Sequence, residues 1–205
     1  MLILSRLADA RTMLIRCGAM SLVEMLITLS VTAIIFSMGM PSLANWMHAS
    51  DVRSSASDLV AALQGARAEA LARNQEVRIT LGDAHGHALW TTGCVTISAS
   101  CPPQLRRVTA PAGNPARWGA STGAQAPALS TPLTAGMGLP AQVTFNALGA
   151  APAVGSGSEI RRIDITHAAD KADATVRRLV VLLAANGMVR LCDPLIAAGG
   201  DMACD

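Results

Sequence analysis

Residues 25–47, MLITLSVTAIIFSMGMPSLANWM, decide the fold: 23 consecutive positions without one charged side chain. About 20 residues in a helix cross a bilayer core, and a soluble helix of this length usually keeps a polar face. Here only scattered Ser, Thr and Asn interrupt the apolar run, so it reads as a membrane span. Upstream lie Arg6, Arg11 and Arg16, opposed only by Asp9. That bias holds the N-terminus in the cytoplasm and sends the C-terminal part across the membrane. A cleaved secretory signal has an apolar core of about 7–15 residues followed by a small-residue site. This core is longer, carries an acid near its start, and is followed by a poor site of that kind at 45–50.

The whole-chain composition fits one span plus one exported domain. The 205 residues are 51% hydrophobic but only 2% aromatic. Charged residues are 15%, below the about 25% of an average globular domain. So apolar a chain is not intrinsically disordered. A net charge of +2 also argues against a strongly basic nucleic-acid module.

Glu24 stands at the mouth of the span, and no Lys or Arg follows it before Arg53. A carboxylate inside the bilayer costs roughly 2.5–3.5 kcal/mol on insertion scales and needs a partner. Cutting after Ala19, in the small pair Gly18-Ala19, creates an α-amine four residues before Glu24. Amine and carboxylate from neighbouring copies then neutralise each other and fix the axial register between subunits. The plainer alternative is an interfacial Glu that snorkels to the headgroups.

The run Gly18-Ala19-Met20-Ser21-Leu22-Val23-Glu24-Met25-Leu26 resembles the type III signal of type IV prepilins and pseudopilins. In that family a membrane aspartyl peptidase cuts before the apolar run and methylates the new N-terminus. The resemblance implies cleavage between Ala19 and Met20 and N-methylation of Met20. It also gives a registering role to Glu24, the fifth mature residue, and a helix kink to Pro41, 21 residues after Met20. Ala19 stands where the family usually has Gly, and Met20 where it usually has Phe. Initiation at Met1 gives a 19-residue leader, and initiation at Met13 the short basic leader MLIRCGA. Without Arg6, Arg11 and Arg16 the Lys+Arg count falls from 16 to 13, and without Asp9 the Asp+Glu count falls from 14 to 13. The expected mature side chains are therefore neutral overall.

Beyond Pro41 the pattern becomes amphipathic. Leu59, Val60, Leu63, Ala66, Ala70 and Leu71 recur at three- and four-residue spacing. Arg53, Asp58, Gln64, Arg67, Glu69 and Arg73 are left for the wet faces, and Asn74 suits a stop. Ser50-Asp51 offers helix-capping chemistry or lies inside one continuous helix. The phrase from Leu59 to Val77, with its Ala66-Arg67-Ala68-Glu69-Ala70 core, is similar to the GspH/FimT branch of the family. Together with the N-terminal signal this resemblance covers residues 13–81. Further on it rests on Phe145-x-x-x-Gly149 and the C-terminal cysteines. It implies a type IV pilin-like α+β fold: a long N-terminal helix, membrane-spanning and then amphipathic, packed on an antiparallel β-sheet domain.

The expected organisation is a leader at 1–19, a span or filament-core helix at 20–47, its amphipathic continuation at 48–76, and a β-rich exported domain at 77–205. Strands are expected at 77–81, 87–90, 104–108, 143–145, 160–166, 178–184 and 188–191. Asn186-Gly187 between two apolar runs signals a hairpin, since both residues tolerate positive φ. Residues 109–142, rich in Ala, Pro, Gly, Ser and Thr, read as a long loop anchored by Trp118 and Leu133.

Five cysteines become four once Cys17 leaves with the leader. Cys94, Cys101, Cys192 and Cys204 allow three connectivities. The nearest-neighbour scheme, Cys94–Cys101 with Cys192–Cys204, closes two short loops, with Pro or Gly in or beside each. A zinc site is the rival, but there is no C-x-x-C pair and an exported domain favours disulfides.

No enzyme site, cofactor or metal is expected. Of His48, His85, His87 and His167, the pair His85-x-His87 reads as a turn between strands, lacking an evident third ligand. No nucleophile elbow, phosphate loop or H-E-x-x-H is present. Some FimT-like minor pilins receive DNA through a G-R-x-R phrase before a C-terminal cysteine. Here that phrase is Gly187-Met188-Val189-Arg190, so only Arg190 carries over as a DNA contact. The basic pairs Arg106-Arg107, Arg161-Arg162 and Arg177-Arg178 read as ordinary solvated edge charges.

The expectation is a FimT-like minor pilin that helps initiate, assemble or cap a type IV pilus. A GspH-like minor pseudopilin of type II secretion is the alternative within the family, and a DNA receptor the alternative of another class. The implied partners are the prepilin peptidase, other major and minor pilins or pseudopilins, and inner-membrane lipid. The implied location is the inner membrane, single-pass with a periplasmic C-terminal domain, and then the pilus or pseudopilus near its tip.

Overall fold

The computed structural model describes residues 21–109, 114–122, 128–151, 160–168 and 177–204. Gly18, Ala19 and Met20, the expected processing site, lie outside them. One helix, α1 (Leu22–Arg73), is followed by eight strands in the described residues. These are β1 (Val77–Leu81), β2 (Leu89–Cys94), β3 (Arg106–Thr109), β4 (Ala116–Thr122), β5 (Ala141–Phe145), β6 (Ile160–His167), β7 (Leu179–Leu183) and β8 (Val189–Cys192). The chain divides into two compact units, Met1–Ser42 and Leu43–Asp205.

In the first unit α1 is long and apolar enough to cross a membrane. Four of its hydroxyls bond within the helix. Thr28 donates to the Met25 carbonyl (3.0 Å), Ser30 to Leu26 (2.7 Å), Thr32 to Thr28 (2.6 Å) and Ser37 to Ile34 (2.8 Å). These four side chains are thus turned back on the backbone, which makes such scattered Ser and Thr compatible with lipid.

In the second unit α1 buries one seam: Val52, Ala56, Leu59, Leu63, Ala66 and Ala70. The alternating steps of four and three keep these residues on one face. Val60, expected in the seam, is only partly buried, and Leu71 is exposed. Ser50 and Asp51 lie inside α1. The helix ends at Asn74, whose φ of 51° turns the chain. Gln75 donates to the Ala70 carbonyl and Asn74 to that of Leu71, so two terminal carbonyls find donors in a Schellman arrangement.

The strands form two antiparallel four-stranded sheets, ordered β3-β2-β1-β5 and β4-β6-β7-β8. β1 is central in the first, with Val77, Ile79 and Leu81 buried at period two. These side chains share one core with the α1 seam and with Ile163, Ile165, Val181 and Leu183 of the second sheet. Trp90 of β2 stacks on Trp118 of β4, ring centroids 5.9 Å apart.

The stretch 109–142 is not one loop, because it contains β4. β4 pairs with β6, setting Trp118 opposite Ile165 and Ala120 opposite Ile163, so all four face the core. Gly119 faces the other way, and the chain returning through Leu133 and Thr134 lies across it. A Cβ at 119 would stand 2.5 Å from the Thr134 carbonyl oxygen. Gly119→Ala should therefore destabilise the domain by about 1–3 kcal/mol, read as a lower midpoint in denaturant with an unchanged slope.

The β7–β8 hairpin also differs from the expectation. Its loop is five residues, 184–188, closed by Met188 accepting from Ala184 and Gly187 donating to Ala184. Only Gly187 has positive φ, at 78°; Asn186 instead accepts from the Met188 amide through Oδ1. Two disulfides are present: Cys94–Cys101, with Cα atoms 5.6 Å apart, and Cys192–Cys204, 5.1 Å apart. Loops this short are worth about 2.5–3 kcal/mol each in chain-entropy terms.

Candidate functional site

The first candidate is the start of α1. Glu24 lies in the first turn of the described helix, where the helix dipole favours a carboxylate. It is exposed and is the only Asp, Glu, Lys or Arg from position 17 to position 50. Pro41 falls within α1.

The charged pairs in the sheet domain divide into two kinds. Arg162 and Asp164 alternate along β6 and so point to the face opposite Ile163 and Ile165. Both are buried, and they meet in a two-pronged pair, Nε to Oδ1 at 2.7 Å and Nη2 to Oδ2 at 2.8 Å. Arg178 adds a third contact to Asp164 Oδ2 at 2.5 Å. The guanidinium groups also donate to backbone carbonyls of one segment: Arg162 to Ala128 (3.2 Å) and Thr131 (2.6 Å), Arg178 to Leu129 (2.6 Å). The Leu133 amide donates to Asp164 Oδ2 at 2.9 Å. Arg162 and Arg178 are thus internal struts that hold the 128–133 segment, not solvated edge charges.

Arg177 pairs with the buried Asp193 at 3.0 Å, and Arg161 donates to the Ala151 carbonyl at 3.1 Å. Arg190 is exposed on β8 but donates to the Ala203 carbonyl at 2.9 Å, inside the loop closed by Cys192–Cys204. Arg106 and Arg107 are exposed on β3, in the other sheet. Arg190, the one residue expected to contact DNA, and the basic pairs are therefore dispersed between two sheets, and several are engaged by the protein itself.

At the other cysteine loop, Arg73 bonds Glu69 at 2.7 Å and also donates to the Ser100 carbonyl. The end of α1 is thereby tied to the Cys94–Cys101 loop.

The histidines also separate. Residues 83–87 form the turn between β1 and β2, in which Asp83 accepts from the amides of His85 (2.9 Å) and His87 (3.1 Å) and contacts His87 Nδ1 at 2.6 Å. Burial pushes the Asp83 carboxyl up, but its bonds with His87 and His85 outweigh that and lower it to about 2. His48 and Asp51, three residues apart on α1, meet His167 at the end of β6. The two imidazoles lie 4.1 Å apart between centroids. Burial, then repulsion from His48 and Arg117, lowers the His167 pKa against the pull of Asp51. No local sequence signature joins these three residues. The His-x-x-Asp spacing on α1 is the one local signal that could have drawn attention to two of them.

No curated protein matches this chain. Among solved structures it is similar to the type IV minor pilin FimU of Pseudomonas aeruginosa PAO1 in two crystal forms. In the first, identity is 18% and TM-score 0.47, covering 74% of this chain and 95% of that one. In the second, identity is 18% and TM-score 0.44, covering 72% and 98%. The family described as Type II transport protein GspH matches residues 55–187. That match begins in the buried seam of α1, runs through β7 to the turn before β8 and takes in well over half of the sequence, so the chain belongs to the GspH family.

Proposed function

We propose that this protein is an assembly subunit of a type IV pilus, FimT-like in role, made as a prepilin and held in the inner membrane until it enters the filament. The observation that carries this reading is α1 itself. Its membrane-competent part has a single acid, Glu24, and its seam from Val52 to Ala70 belongs to the core of the sheet domain. An anchor whose sole charge sits at one end suits a subunit that must be withdrawn from lipid and set in register beside its neighbours. On this reading a prepilin peptidase cuts between Ala19 and Met20 and methylates Met20. Glu24 meets a neighbour's N-terminal amine, Pro41 bends the helix, and the disulfide-bonded domain faces the periplasm and contacts other pilins near the tip.

Assembly is favoured over DNA reception because Arg162 and Arg178 are spent on Asp164, and Arg190 on the C-terminal loop. The test is deletion of the gene and complementation with the native sequence or Glu24→Ala. Surface pili and secreted protein are counted in parallel. Pili should disappear on deletion and return with the native sequence, but not with the variant, which should still reach the membrane. Intact pili with lost secretion would instead identify a type II secretion pseudopilin. Unchanged piliation and secretion would overturn assembly altogether. A mature N-terminus other than Met20 would overturn the processing step.

A further inference from the structure

The trio His48, Asp51 and His167 has the chemistry of a metal site. One ligand atom from each residue lies within 4.8 Å of the others. His48 and Asp51 share a face of α1, because residues three apart on a helix are neighbours. His167 comes to them from the last position of β6. All three are partly buried, so they are neither dispersed in solvent nor sealed from it. We infer that these residues bind a divalent transition metal of the zinc class, with two imidazole nitrogens and one carboxylate oxygen as ligands.

The donor set selects the ion. Two nitrogens and one oxygen suit zinc and its neighbours nickel and copper, whereas calcium and magnesium take oxygen ligands. Zinc–ligand bonds of about 2.0–2.2 Å place tetrahedral donors about 3.4 Å apart. Donor atoms within 4.8 Å of one another have at most about 1.4 Å to close to reach that spacing. Three protein ligands leave a fourth position open to water or to a donor from another molecule. The carboxylate offsets one of the two metal charges. The guanidinium acting on this cluster, Arg117, is directed to the Asn114 and Ala116 carbonyls, each at 2.9 Å.

The site bridges two elements far apart in sequence, so an ion there fastens α1 to β6 at the end of the helix seam. Calorimetric titration of the detergent-solubilised full chain, free of any affinity tag, with zinc chloride tests this. One equivalent should bind saturably, raise the melting temperature, and be removed by EDTA. His48→Gln and Asp51→Asn, each on the helix surface and checked for native circular dichroism, should abolish that equivalent. His85→Gln should retain it. Cobalt in place of zinc should give the visible absorption of a four-coordinate site, lost in the same two variants. No saturable binding by about 100 µM zinc, a concentration far above the dissociation constants of structural zinc sites, or binding that survives both helix variants, would overturn the assignment.

Discussion

Asp164→Ala should destabilise the sheet domain by about 3–5 kcal/mol, because it strands two guanidinium groups that the fold has taken out of water. Asp164 is fully buried, accepts both prongs of Arg162, receives Arg178 on the same oxygen, and binds the Leu133 amide. Loss of the carboxylate removes these contacts and leaves in place the guanidinium bonds to the carbonyls of 128, 129 and 131. Guanidinium chloride unfolding of the purified chain, followed through tryptophan fluorescence, measures the effect. The combined variant Arg162→Met, Asp164→Leu, Arg178→Met separates charge from packing. It should recover most of the loss, since well-packed apolar replacements of buried ion pairs are often neutral or better. Hydrogen exchange at the Leu133 amide should nevertheless stay fast, because its acceptor is gone. A native midpoint for Asp164→Ala would refute the network's importance.

Trp118→Ala should cost about 3–5 kcal/mol, the range for emptying a large aromatic site. The ring is fully buried, stacks on Trp90 and lies opposite Ile165 across the β4–β6 pair. Its removal opens a void between the sheets that backbone movement fills only in part. Trp118→Phe is the informative companion. Among the described residues the indole Nε1 is buried without a hydrogen-bond partner. Phe deletes that unpaired donor while keeping most of the stacking area, so its penalty should be well below that of Ala. Equal losses for the two variants would show that the indole N–H has a partner and contributes to stability.

These two residues also mark where the sequence was legible. Periodicity located the helix seam because Leu59, Leu63, Ala66 and Ala70 obey a local rule, and Asn74 supplied the stop. The first strand was equally plain, since 77–81 alternates apolar and polar residues and buries every apolar one. β4 was missed because Ala116, Gly119 and Ala120 give little β signal of their own, and the strand is defined by its pairing with β6. β2 was placed two residues early and cut short at 90. Its second half, Thr91-Thr92-Gly93-Cys94, includes a glycine required by the Pro103 carbonyl, 1.8 Å from where a Cβ would lie. Charges were hardest to read. Arg162 beside Arg161, and Arg178 beside Arg177, look like surface pairs until Asp164 and the 128–133 backbone are brought to them. The His48–Asp51–His167 cluster was hidden for the same reason, its members being joined by tertiary folding alone.

The 128–133 segment is gripped by its main chain. The groups that hold it at 128, 129 and 131 are peptide oxygens, which every amino acid supplies. The side chains at 128, 130, 131 and 132 are exposed. A lineage can therefore rewrite the outward lettering of this segment while its path over β6 stays fixed. Swapping those four side chains should leave the folding of the domain intact, read as an unchanged midpoint in denaturant.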